Sequence, residues 1–176
     1  MNTDRLRLDP FAFALGALAL LTLAFVSARN GAALVMCVLC FAGLLSARLI
    51  GFSNRALVPL ALGLIALLWI VWVQPVASSH QTSALAHGAG GVLAGWALAE
   101  FLRTRMPALQ WMILALAGVF ALTVLWELGE YFGDRVLTTG LIPNKRDSAL
   151  DILLGSFGGA LGVGFAWLLL PQRPRR

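Results

Sequence analysis

The sequence predicts an all-α membrane protein, a single domain over residues 1–176 built as a bundle of six transmembrane helices with both termini in the cytoplasm. The first observation is composition: 60% of the residues are hydrophobic and 12% are charged, against roughly 25% charged in an average soluble domain. So few polar residues would not cover a soluble surface. The second observation is that the apolar residues fall into six segments, each near the ~20 residues that a spanning helix needs.

The predicted spans are separated by polar or turn-forming residues. The first break is Arg29-Asn30-Gly31, the second is 51–55, and later breaks follow at 75–83, 103–107 and 132–148, the last predicted as a long loop. The six spans are therefore predicted at about 10–28, 31–50, 56–76, 83–102, 108–130 and 149–170.

The first span has features of a signal peptide, because Arg5 and Arg7 precede an apolar run that ends in small residues. The run from Phe11 to Val26 is long for a signal core, so we favour an uncleaved first helix. Cleavage would leave five spans and the same orientation for the rest.

The basic residues set the predicted orientation through the positive-inside rule. With both termini inside, nine cations flank the cytoplasmic ends of the spans: Arg5, Arg7, Arg48, Arg55, Arg103, Arg105, Arg173, Arg175 and Arg176. Four flank the outer ends: Arg29, Arg135, Lys145 and Arg146. The net charge of +5 and the pI near 10.6 therefore indicate topology, and we expect no nucleic-acid partner because the cations are spread thinly between apolar runs.

Most of the carboxylates lie in one stretch, residues 126–159. It holds five of the eight in the chain: Glu127, Glu130, Asp134, Asp147 and Asp151. A carboxylate near hydrocarbon is costly, so each one demands a partner or a function. Cys37 and Cys40 lie in an apolar run with no second ligand pair nearby in sequence, which favours two buried thiols over a zinc site.

Glycine spacing predicts which helix faces meet. Asp151 lies four residues before Gly155, and His87 lies four residues before Gly91, so each shares a face with small residues. The two stripes have the spacing that lets helices approach closely: Gly155, Gly158, Gly159 and Gly162 in helix six, and Ala84, Gly88, Gly91 and Gly95 in helix four. We therefore expect helices four, five and six to surround one outward-opening cleft that holds His87, Glu127, Glu130, Asp147 and Asp151.

Several chemistries fit this residue set. His87, Glu127, Glu130 and Asp151 are candidate catalytic acid–base groups, and the same four are candidate ligands of a divalent cation. Asp147, Arg146 and Arg135 are candidate substrate-binding residues, the arginines for a phosphate.

Structural roles compete with these functional interpretations. Ser148 and Asp151 fit a capping box at the start of helix six. The two glutamates fit ion pairs with Arg135 or Arg146, and His87 fits a single interhelical hydrogen bond.

Two motifs carry a family resemblance. Near the end of helix five the chain has W-E-x-x-E, and helix six opens with D-x-x-x-D-x-x-x-x-x-x-G; the matching positions are Trp126, Glu127, Glu130, Asp147, Asp151 and Gly158, with His87 in helix four. Over roughly residues 80–165 this resembles the YjdF-like inner-membrane proteins, whose role is not established. It resembles the VanZ-like proteins more loosely.

The sequence departs from the VanZ-like pattern at two places. That family tends to have an Asp-Lys pair where this chain has Ser83 and Ala84, and an Asn where it has Gly155. The resemblance implies a bacterial inner-membrane location. The VanZ-like link to teicoplanin resistance and envelope lipids suggests a general setting and no reaction.

Three functions stay open at this point. The first is a site on the outer leaflet that binds or processes a lipid head group or envelope precursor, with the bilayer itself as the other partner. The second is an ion- or proton-coupled transporter, against which the halves show no inverted repeat. The third is a non-catalytic membrane component in which the acidic cluster joins helices. Substrate, metal identity and oligomeric state do not follow from the sequence.

Overall fold

The computed structural model describes residues 9–27, 31–72, 79–137 and 145–170. These residues form six α-helices: α1 Pro10–Ser27, α2 Gly31–Leu49, α3 Asn54–Trp72, α4 Ser79–Arg103, α5 Ala108–Leu137 and α6 Lys145–Leu169. The all-α prediction is thus confirmed for the described part of the chain.

Within these residues, four helices are long and apolar enough to cross a membrane. The apolar spans are Pro10–Ser27, Ser83–Arg103, Ala108–Val136 and Asp147–Leu169, while α2 and α3 hold the shorter apolar stretches Ala33–Leu49 and Asn54–Ile70. Large apolar side chains stand exposed along the bundle, among them Leu20, Leu109 and Phe132. An exterior with so many exposed apolar side chains is typical of a surface that faces lipid.

The predicted loop at 132–148 is wrong, because helix occupies both of its ends. α5 continues to Leu137 and α6 begins at Lys145, which leaves only 138–144 outside the described helices. The loop is predicted because the apolar run ends at Glu130. Residues 131–137 contain no proline, however, so nothing there interrupts helical hydrogen bonding. Since α6 starts three residues before Ser148, that residue is not an N-cap and the capping-box interpretation is also wrong.

Helices α1, α2 and α3 form an apolar scaffold with Leu18, Leu44 and Leu57 fully buried. α2 ends in a Schellman turn, in which Gly51 adopts a φ of 93° and the Phe52 amide donates to the Ala47 carbonyl. The free thiols of Cys37 and Cys40 are buried in this scaffold, which confirms their interpretation as core residues.

The turns of the scaffold meet the end of α4. Phe52 stacks on Phe101 with ring centroids 4.1 Å apart, and Arg105 donates to the Gly51 carbonyl at 3.2 Å. The α2–α3 and α4–α5 turns therefore lie at one end of the bundle. Arg48, Arg55, Arg103 and Arg105 all belong to this end.

α4 and α6 pack backbone to backbone. A Cβ added at Gly91 would overlap the Gly155 carbonyl, and one at Gly95 would overlap the Gly159 carbonyl. The residue numbers rise together in both helices, so α4 and α6 run parallel. The predicted close approach of the two glycine faces is confirmed, and it needs glycine because any larger residue would push the backbones apart.

α5 runs antiparallel to this pair and covers it. Thr123 lies beside Gly155, and Val119 lies beside Gly159. Glu127 is one turn beyond Thr123 on the same face. The close α4–α6 pair and the α5 cover together bring one polar residue from each helix to the same level of the bundle.

Candidate functional site

Three buried side chains from three helices meet in what we call the His87 cluster: His87 of α4, Glu127 of α5 and Asp151 of α6. Nε2 of His87 lies 3.1 Å from Oε1 of Glu127, and Nδ1 lies 3.4 Å from Oδ1 of Asp151. Each side chain is only 7–8% exposed. One donor atom of each residue lies within 4.8 Å of the other two, so the three act on one small volume.

Ser83 orients two members of the cluster. Its hydroxyl donates to Oδ2 of Asp151 at 3.0 Å, and its carbonyl oxygen lies 3.0 Å from Nδ1 of His87. A carbonyl oxygen only accepts, so Nδ1 must carry the hydrogen of that contact. This fixes the ring and directs Nε2 towards Glu127.

Glu127 is the unusual member, because a buried carboxylate normally accepts several hydrogen bonds. Among the described residues, neither of its oxygens has a hydrogen-bond partner, and neither does Nε2 of His87. The 3.1 Å contact between Nε2 and Oε1 is an ion pair when His87 is protonated, and it lacks the alignment of a hydrogen bond. Such a pair requires a positive charge between or on the two groups.

The cluster lies within the bundle, at the end opposite the arginine-rich turns. At 1.5 Å of rise per residue, His87 is roughly 12 Å from the start of α4 and Asp151 roughly 9 Å from the start of α6. All three residues lie in the apolar spans. The site is thus set about two helical turns deep, where low polarity strengthens any electrostatic contact.

The structure separates Glu130 from the cluster. Glu130 is buried, and its Oε1 accepts a 2.7 Å hydrogen bond from the indole nitrogen of Trp126, one turn earlier on α5. It is not part of the three-residue group that converges within 4.8 Å. The partner of Glu130 is thus Trp126 of the same helix, and the i, i+4 spacing of the two residues is compatible with this contact.

The three predicted substrate-binding residues, Arg135, Asp147 and Arg146, do not converge on one described site. Arg135 is exposed on the last turn of α5, where its Nε donates to the Tyr131 hydroxyl at 3.2 Å, so it pairs with neither glutamate. Asp147 lies one turn before Asp151 on α6 and is partly buried. The side chain of Arg146 is outside the described residues.

An apolar groove reaches the cluster from the side of the bundle. It has a volume of about 490 Å³ and is lined by Ala84, Asp147, Leu150, Asp151, Leu153, Leu154 and Phe157. Leu153 and Phe157 are each 65% exposed, so the groove opens sideways on the exposed apolar face of α6. Asp151 belongs to both the groove and the His87 cluster, and it joins an apolar surface to a polar site.

Ser83 is the site residue that sequence analysis missed. Its spacing, four residues before His87, places it on the same face of α4, and that signal was available. The W-E-x-x-E motif contains both Trp126 and its acceptor Glu130, yet it does not predict the hydrogen bond between them. In both cases the hydrogen bond depends on rotamers that a sequence does not specify.

No protein-family model, curated protein or solved structure matches the chain. The resemblance to YjdF-like and VanZ-like proteins therefore stays a prediction.

Proposed function

We propose that this chain is a six-span protein of the bacterial inner membrane, with both termini in the cytoplasm, that binds the polar head group of a lipid or lipid-linked envelope precursor. The head group would bind at the His87 cluster, and the cluster would face the outer leaflet. The apolar groove would hold part of the hydrocarbon chain.

The orientation is supported by the distribution of charge between the two ends of the bundle. Arg48, Arg55, Arg103 and Arg105 lie at the end of the scaffold turns, and cations concentrate on the cytoplasmic side. The His87 cluster lies towards the other end, which is outside in this arrangement. The exposed apolar residues on α1, α5 and α6 support membrane insertion.

The single observation that carries the proposal is that Asp151 lines the apolar groove and also belongs to the His87 cluster. A site for a soluble ligand would open to water, whereas this groove is walled by Leu150, Leu154 and Phe157 and opens sideways. An amphiphile has the matching form, an apolar chain beside a polar head. The imidazole of His87 and the carboxylates beside it supply groups that exchange protons with a bound head group.

The test is to fill the groove without touching the polar residues. Leu150→Trp enlarges an exposed α6 side chain that lines the groove, and Leu161→Trp makes the same change at an exposed α6 position that does not line it. Both variants and the wild type are purified in mild detergent, and native mass spectrometry measures the lipid retained per chain. We expect Leu150→Trp to lose the retained lipid and Leu161→Trp to keep it.

Equal lipid retention in the two variants would exclude the groove as a lipid site. The alternative of a purely structural polar cluster makes a different prediction: Glu127→Gln and Asp151→Asn would lower the melting temperature and leave lipid retention unchanged. Size-exclusion profiles of each variant show whether it remains folded, so that lost lipid is not confused with lost protein.

A further inference from the structure

The atoms without hydrogen-bond partners in the His87 cluster point to a ligand. Nε2 of His87 and both carboxylate oxygens of Glu127 are buried, and among the described residues they have no hydrogen-bond partner. Burial of unsatisfied polar groups is destabilising, more so where charge is involved. We propose that the His87 cluster is a binding site for one divalent transition-metal ion of the zinc class, held by His87, Glu127 and Asp151.

The donor spacing suits such an ion. Bonds of ~2.0–2.2 Å from zinc to imidazole nitrogen and carboxylate oxygen place neighbouring donors of a tetrahedral site about 3.4 Å apart. The Nε2–Oε1 distance is 3.1 Å, and one donor atom of each of the three residues lies within 4.8 Å of the others. Coordination of one ion by all three donors would require the side chains to rotate from these positions.

The donor type selects the metal class. One imidazole and two carboxylates suit zinc and its neighbours, whereas Mg²⁺ and Ca²⁺ prefer shells made only of oxygen. Three protein ligands leave a fourth position open, the arrangement of zinc sites that bind a further molecule. The two negative charges of Glu127 and Asp151 would be balanced by the ion in a region where unbalanced charge is costly.

The surroundings of the ligands resemble those of established metal sites in one physical respect. A metal-bound histidine usually donates its other ring N–H to a carbonyl or carboxylate, which fixes the coordinating nitrogen. Here Nδ1 donates to the Ser83 carbonyl at 3.0 Å, and this leaves Nε2 as the coordinating atom. The Ser83 hydroxyl occupies Oδ2 of Asp151. Oδ1 lies 3.4 Å from Nδ1, so it is the oxygen that would turn towards an ion on Nε2.

The experiment measures metal directly and does not rest on the proposed lipid. The full chain, purified with a tag that contains no histidine, is stripped with chelator, equilibrated with ZnCl₂ and freed of excess metal. Elemental mass spectrometry then gives zinc per chain, and titration calorimetry gives the affinity. The variants are His87→Ala and Glu127→Gln. The matched control is Glu100→Gln, which changes a buried carboxylate outside the cluster, on α4, that accepts a 2.7 Å hydrogen bond from Arg103.

We expect about one zinc per chain in the wild type and in Glu100→Gln, with affinity lowered roughly tenfold or more in His87→Ala and Glu127→Gln. A wild type that holds no zinc above the detergent blank overturns the proposal, and so do His87→Ala and Glu127→Gln proteins that bind zinc as well as the wild type. If those variants do not fold, X-ray absorption of the zinc-loaded wild type decides, because a shell without imidazole scattering contradicts the site. Zinc binding without lipid retention would reject the proposed function and leave the metal site standing. Lipid retention without zinc binding would reject the metal site and leave the proposed function standing.

Discussion

Ser83 and Asp151 are joined by a 3.0 Å hydrogen bond between α4 and α6, with the Ser83 hydroxyl as donor. The carbonyl of the same serine accepts from Nδ1 of His87. One residue therefore sets the orientation of two of the three cluster side chains. Farther along the same helix, Gly91 and Gly95 pack directly on the α6 backbone, so the relative position of the two helices that carry the site depends on helix packing.

The first prediction concerns Ser83 as a positioning residue. Ser83→Ala removes the donor to Asp151 and keeps the carbonyl contact with His87, so we expect zinc affinity to fall roughly ten- to a hundredfold. Ser83→Thr retains a hydroxyl and should restore most of the affinity. Titration calorimetry with ZnCl₂ measures both, and equal affinities in the alanine and threonine variants would contradict the positioning role.

The second prediction compares two adjacent glycines of α4. A Cβ at Gly91 would overlap the Gly155 backbone, whereas a Cβ at Gly90 has nothing within 4 Å. Gly91→Ala should therefore separate α4 from α6 and cost about 1–3 kcal/mol, while Gly90→Ala should be neutral or slightly stabilising because alanine favours helix.

Thermal unfolding in detergent measures the stability of both glycine variants, and zinc stoichiometry reports whether the cluster survives. Because the two substitutions are chemically identical, helix propensity does not account for any difference between them. A Gly91→Ala protein as stable as the Gly90→Ala protein would show that the helix faces do not depend on glycine.

The spacing of small residues was sufficient to predict the α4–α6 contact. Gly91 and Gly155 each lie four residues after an ionisable residue, and the 3.6-residue period places such pairs on one face. The convergence of His87 with Asp151 follows from that contact. Periodicity and small side chains, two properties visible in any sequence, thus account for most of the site.

The sequence did not predict the full length of α5 or the different partners of its two glutamates. Polarity after Glu130 suggested a loop, but α5 continues to Leu137 because backbone hydrogen bonding does not require an apolar face. Glu130 and Glu127 were equivalent in sequence, yet one accepts from Trp126 and the other faces His87. That division is decided by side-chain rotamers and by the rotation of α5 against its neighbours.

The third prediction tests the division between the two glutamates. Glu130→Gln keeps an oxygen that accepts from the Trp126 indole, whereas Glu130→Ala leaves that N–H without its partner and should cost about 1–3 kcal/mol. We expect both proteins to bind zinc, in contrast to Glu127→Gln. Thermal unfolding and zinc stoichiometry are measured together, and loss of zinc in Glu130→Gln would place Glu130 among the ligands.

The fourth prediction links the metal to the lipid. Two carboxylates repel the phosphate of a phospholipid head group, and a divalent cation held by them would attract it. Removal of metal with chelator should therefore reduce the phospholipid retained by the wild type, and ZnCl₂ should restore it while MgCl₂ should not. Native mass spectrometry measures the retained lipid, and retention that is indifferent to chelator would show that the cation does not contact the head group.

The fifth prediction tests the orientation of the bundle in the membrane. Val136→Cys places a thiol on the exposed last turn of α5, on the side proposed to face outwards. Ala108→Cys places one at the start of α5, on the side proposed to face the cytoplasm. A membrane-impermeant maleimide added to intact spheroplasts should label the Val136→Cys protein at once and the Ala108→Cys protein only after permeabilisation. The parent chain, whose Cys37 and Cys40 are buried, controls for background labelling. The reverse pattern would place the His87 cluster on the cytoplasmic side, since the cluster and the last turn of α5 share one end of the bundle, and it would restrict the ligand to molecules of the inner leaflet.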